Sequence, residues 1–257
     1  MKKLILLLGL IFLMGVQIAG ATMIDLTTLG SAVFFNSAWF KQMDLSATGS
    51  GNIDSFVQIG VGGNLDIIEA YNTTVNNVLD NGPSNVFNHE LELTAVPSMS
   101  IYGGTYREFL LDIHQNQAGT DSLLSVDEIQ LFLSNTPNQS VTTFNASGIL
   151  ELADASLIWR LDSAAADNYI KMDSALNPGQ GWGDMYAYFP ENIFTGGYQY
   201  VYLYSRFGEI YPNNANFEEW AVREATNGNP IPEPGTLMLL GTGLVGLLGL
   251  RRKSRSW

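Results

Sequence analysis

The chain has 257 residues, 12 Lys and Arg against 25 Asp and Glu for a formal net charge of −13, and no Cys. Without thiols it forms neither a disulfide nor a thiolate metal site. Half of the basic residues sit near the termini, so residues 22–229 keep six basic against 24 acidic groups, net −18, which argues against nucleic acid or anionic lipid as a ligand.

Residues 1–21 begin with Lys2 and Lys3, continue through an apolar run over 4–16, and end on Ala19-Gly20-Ala21. That is the pattern of a secretory signal peptide, exported by the Sec machinery and cut by signal peptidase at the A-x-A site. A retained first transmembrane helix is the competing reading, and the short core followed by small residues speaks against it. No Cys follows the run, so a lipoprotein is excluded. The mature chain is expected to start at Thr22.

From residue 22 to 226 the pattern is one of short strands with turn punctuation. Ala32-Val33-Phe34-Phe35 and Ala38-Trp39-Phe40 form an early strand region, and Phe56, Gln58 and Gly60 alternate with Val57, Ile59 and Val61. Residues 64–78 could hold a short helix. Phe109, Leu111 and Ile113 share one face, as do Ile129, Leu131 and Leu133, and Leu157-Ile158-Trp159-Arg160-Leu161 is a further apolar run. Tyr198, Tyr200, Tyr202 and Tyr204 alternate with Val201 and Leu203, and residues 217–223 read as a last strand or a helical turn. Turn clusters such as Asn81-Gly82-Pro83, Tyr102-Gly103-Gly104 and Asn177-Pro178-Gly179 separate these segments. The expected fold is mainly β, an antiparallel β-sandwich of jelly-roll type forming one extracellular domain over residues 22–226, with a linker at 227–230.

The tail, 231–257, has three parts in fixed order: Pro232-Glu233-Pro234, an uncharged apolar run over 235–250, and the basic cluster Arg251, Arg252, Lys253 and Arg255. The prolines prevent a helix from starting before about residue 235. A helix over 235–250 is roughly 24 Å long, short against a hydrocarbon core of ~30 Å, so it would anchor marginally. The basic end should stay cytoplasmic, leaving the preceding chain outside.

This tail resembles the PEP-CTERM sorting signal of exported Gram-negative proteins. The same tail also goes by the label ice-binding protein C-terminal domain, and nothing in its residues contacts ice. The resemblance implies an exosortase as a partner that cuts near Pro232-Glu233-Pro234, a transient stay in the inner membrane, and delivery to the cell surface or extracellular matrix. A hairpin seen in a group of such proteins resembles Arg107–Gln115 followed by Leu124–Phe132, where that group reads Asp-Ile-Asn-Gln for Asp112-Ile113-His114-Gln115. Gly181-Trp182-Gly183-Asp184-Met185 and Phe217-Glu218-Glu219-Trp220-Ala221-Val222 are similar to later blocks of that group. The match implies no catalytic activity.

Candidate chemistry is sparse. Asp112, Asn116, Asp121, Asp127 and Glu128 surround a polar loop and could supply oxygens to Ca2+. The spacing is not an EF-hand: counted from Asp112, position six is Gln117 and position twelve Leu123. A solvated loop whose carboxylates make turns is the plain alternative. Trp182, between two glycines, is the candidate sugar-stacking ring, against a role for the tryptophans in the core. Glu218 and Glu219 are the best local pair for acid–base hydrolysis, and no phosphate loop, dinucleotide fingerprint or nucleophile elbow occurs. The expectation is a non-enzymatic exported protein of the surface or exopolysaccharide matrix, in a structural or adhesive role and without a required cofactor. A calcium-assisted carbohydrate-binding module is the alternative, and a surface glycoside hydrolase a distant third.

Overall fold

Side chains leave a strand alternately to its two faces, so apolar residues at every second position bury one face. The computed structural model shows fourteen strands among the residues it describes, which are 20–43, 54–60, 65–82, 87–116, 119–163, 165–177, 183–214 and 217–222. In chain order they are β1 (Met23–Asp25), β2 (Ala32–Phe35), β3 (Ala38–Gln42), β4 (Asp54–Ile59), β5 (Ile68–Tyr71), β6 (Leu91–Glu92), β7 (Ser98–Ile101), β8 (Gly104–Asp112), β9 (Leu123–Ser134), β10 (Ala155–Arg160), β11 (Tyr169–Asp173), β12 (Met185–Pro190), β13 (Tyr200–Phe207) and β14 (Glu218–Val222).

They form two seven-stranded sheets. The first runs β1-β11-β9-β13-β5, with β10 also on β9 and β6 also on β13. The second runs β2-β3-β12-β8-β14-β4, with β7 also on β8. Leu131, Leu133, Val201 and Leu203 of the first sheet share one core with Phe40, Phe109, Leu111, Ala187 and Trp220 of the second. The sheets touch directly there: the Trp159 ring of β10 lies 5.8 Å from Phe40 and 4.8 Å from Phe189, and Trp220 Nε1 donates to Ser205 Oγ at 2.9 Å. The chain is thus mainly β, with two mostly antiparallel sheets facing each other.

Three expectations need correction. β1 lies parallel to β11, Met23 opposite Tyr169, so the sheets are not wholly antiparallel. A parallel pair needs a long crossover, and the chain between Asp25 and Tyr169 provides it. Within residues 64–78, which could hold a short helix, residues 68–71 form β5, because Ile68 and Ala70 fill the core while the backbone pairs with β13. The expected hairpin of residues 107–132 is not one. β8 belongs to the second sheet and β9 to the first, so the chain changes sheets between Asp112 and Leu123. Each strand has an apolar face, and that face is equally well buried from either side of a two-sheet core.

Among the described residues no helix is long and apolar enough to cross a membrane. Ala21 is exposed just ahead of β1. Ala19, Trp182, the linker 227–230 and the whole tail, including Pro232, Glu233, Pro234, Arg251, Arg252, Lys253 and the apolar run 235–250, lie outside the described residues.

Candidate functional site

β9 is interrupted by a bulge. Arg206 of β13 sits opposite Glu128 and Phe207 opposite Val126, so Asp127 is the extra residue. Leu124 and Val126 before it, and Ile129, Leu131 and Leu133 after it, face the core. The inserted residue therefore leaves Asp127 and Glu128 both on the outer face, the re-aiming that bulges commonly produce.

Glu128 is buried and fully engaged. Its Oε2 accepts from Arg160 Nε at 2.5 Å and Gln130 Nε2 at 3.3 Å, and its Oε1 accepts from the Ile129 and Asp162 amides at 3.0 and 3.3 Å. Arg160, at the end of β10, also donates from Nη1 to the Ser147 carbonyl at 2.8 Å and lies 3.6 Å from Asp162 Oδ2. Gln130 holds the same loop, donating to Gly148 O at 2.7 Å and accepting from the Leu150 amide at 3.0 Å. The loop in turn sets Phe144 against Tyr204, centroids 5.3 Å apart, and Tyr204 donates its hydroxyl to Glu69 at 2.5 Å.

Between loop and sheet lies a cleft of about 430 Å³ lined by Glu69, Glu128, Phe144, Arg160, Asp162, Asp167, Tyr204 and Arg206. Burial, with the Glu128 charge next, pushes the Asp162 carboxyl up to about 7; the Asn168 amide and Arg160 offset only part of this. Burial and the Glu69 charge likewise push the Tyr204 hydroxyl up. A cleft of this size with convergent polar groups and a displaced carboxyl is the arrangement expected of a ligand site.

The five residues proposed for calcium are not brought to one point. Asp112 of the second sheet is buried beside Asp184 and Glu218. Asn116 and Asp121 both meet Asn214, through the Asn116 amide at 2.8 Å and the Asp121 carbonyl at 2.6 Å. Asp127 accepts the Glu209 amide at 2.7 Å, and Glu128 takes Arg160. Among the described residues no group of three or more carboxylates or histidines is arranged to hold a metal ion. Of the candidate acid–base pair, Glu218 has no exposed surface; it accepts from the His114 amide and Gln115 Nε2, both at 2.7 Å. Glu219 takes the Gln58 side chain.

The tryptophans divide by place. Trp159 and Trp220 are in the core, and Trp39 stacks on Tyr102, centroids 4.2 Å apart, beside the exposed Phe34. Arg160, Asp162, Asp167, Arg206 and Glu69 went unmarked in the sequence. The available signal was scarcity, since two of the six basic residues of the acidic body lie in this one cleft.

Body and cleft together define an acidic two-sheet β-protein with a polar recess on an outer sheet face. Its class comes from the tail: residues 230–253 match the PEP-CTERM protein-sorting motif, so the chain carries that motif. It is therefore an exosortase-sorted, exported protein routed to the envelope. No curated protein and no solved structure matches the chain.

Proposed function

We propose that the protein is a non-enzymatic component of the cell surface or exopolysaccharide matrix, released from the inner membrane by exosortase cleavage near Pro232-Glu233-Pro234. The sorting motif at 230–253 carries this reading, because it marks the body as cargo. Mass spectrometry of the surface-released protein tests it. The expected product begins at Thr22 and ends near residue 234, and an intact C-terminus on released protein refutes the processing step.

One observation favours a second reading, a carbohydrate-binding module on the same sandwich. The cleft combines an aromatic wall at Phe144 with carboxyl and guanidinium groups, the mixture that a polyhydroxylated ring requires. Among the described residues no group of carboxylates or histidines there is arranged to hold calcium. A glycan array probed with the exported protein tests this reading directly.

A further inference from the structure

We propose that the cleft over β9 and β13 is a calcium-independent site for a neutral saccharide, held by the side chains of Arg160, Asp162, Asp167 and Arg206 against the Phe144 ring. This rests on the carbohydrate-binding reading and names its site. Two observations carry it. The walls are fixed, since Arg160 and Gln130 clamp the 144–150 loop to the sheet through Ser147 O, Gly148 O and the Leu150 amide. A preformed recess spares the ligand the cost of ordering it. The polar lining is of both kinds, guanidinium donors and carboxyl acceptors, which suits hydroxyls that both donate and accept.

Charge then selects among sugars. Glu69, Glu128, Asp162 and Asp167 outnumber Arg160 and Arg206, Glu209 takes Arg206, and Glu128 takes Arg160. A uronic acid or sulfated sugar would add another anion to this excess, so the site admits neutral rings and repels acidic ones.

The same groups make the site respond to pH. Asp162 faces Glu128 from β9, Arg160 from β10 and Asp167 from its own loop, with Glu69 of β5 and Arg206 of β13 across the cleft. Sugar hydroxyls donating to Asp162 favour its ionised form, so binding strengthens as pH rises and releases a proton. With the carboxyl titrating at about 7, a ligand that needs it ionised binds up to about 30-fold more weakly near pH 5.5 than near pH 8.5.

The test starts with a glycan array of neutral and acidic oligosaccharides, probed with the full-length protein in a non-glycosidic detergent. Isothermal titration of the best neutral hexasaccharide follows, with and without EDTA, between about pH 5.5 and 8.5. The expected result is EDTA-insensitive binding that strengthens with pH. Asp162→Asn, which still accepts the Asn168 amide, should remove the pH dependence, and Phe144→Ala should weaken binding at least tenfold. Phe34→Ala, on the other sheet, should change nothing. Binding lost in Phe34→Ala and kept in Asp162→Asn and Phe144→Ala, with pH dependence unaltered, overturns the cleft assignment while leaving carbohydrate binding intact. Equal binding of acidic glycans also overturns it. An array on which only acidic glycans bind overturns the neutral-saccharide site and leaves carbohydrate binding standing, and one on which no glycan binds overturns both readings.

Discussion

Replacing Asp184 with Asn exchanges one side-chain oxygen for nitrogen and removes one ionisable proton from the end of the core. Asp184 is 3% exposed; its Oδ2 accepts the Ile113 amide at 2.8 Å, and its carboxyl is hydrogen-bonded to that of Asp112. Burial first, then the Asp112 charge, hold the Asp184 carboxyl well above the usual carboxylate range. The native state therefore keeps a proton that the unfolded chain loses above about pH 4. A raised acid gives stability that is fully present below its unfolded value and declines as pH rises toward the folded one. Each proton held only by the native state gives a slope of at most about 1.4 kcal/mol per pH unit, so above about pH 4 Asp184 removes stability at up to that slope until its folded carboxyl titrates. Asn is permanently neutral, can accept from Ile113, and can donate to Asp112. Urea denaturation followed by tryptophan fluorescence at pH 5, 6 and 7 should show the variant gaining on the wild type from one pH to the next, at no more than about that slope. Glu218, raised by the same burial, leaves a residual slope in both proteins. Parallel pH profiles for the two, or a wild type that gains on the variant with rising pH, would refute the reasoning.

Other outcomes are equally specific. Arg160→Met leaves Glu128, 3% exposed, without its cation and should cost about 3–5 kcal/mol in urea midpoint measurements. Trp220→Phe removes the bond to Ser205 that joins the sheets and thins the core, for about 2–4 kcal/mol by the same assay. Gly208→Ala places a Cβ against the Asp66 carbonyl oxygen at φ +92°, so near-UV circular dichroism should show loss of native packing. EDTA should leave the thermal midpoint in place, because Asp112, Asp127 and Glu128 already have separate protein partners; a higher midpoint on adding calcium would restore a loop-built ion site.

The strands were legible because alternation is local. Val201 and Leu203 against Tyr200, Tyr202 and Tyr204 show β13 and its two faces without any tertiary information. Which sheet a strand joins was not legible. Phe109 and Leu111 of β8 and Leu124 and Val126 of β9 look like the two arms of a hairpin, since a core-facing pattern is the same on either side of a core. For the same reason Asp112 and Glu128, flanking one loop in the sequence, finish in different sheets. Glu128 was among the marked residues, but its partner Arg160 lies 32 residues away and reached it only through the β9–β10 pairing.

By itself the sequence determined the address and the material: a signal-like start, an ordered Pro-Glu-Pro, apolar and basic tail, and an acidic, cysteine-free chain of short strands. These are properties of contiguous residues, read by machinery or by local backbone preference. The tertiary structure alone decided which charges meet. One inserted residue at Asp127 turned Glu128 outward, and the pairing of β10 and β13 along β9 set Arg160 and Arg206 on either side of it. The cleft exists because of that register, which depends on distant strands finding each other across a shared core.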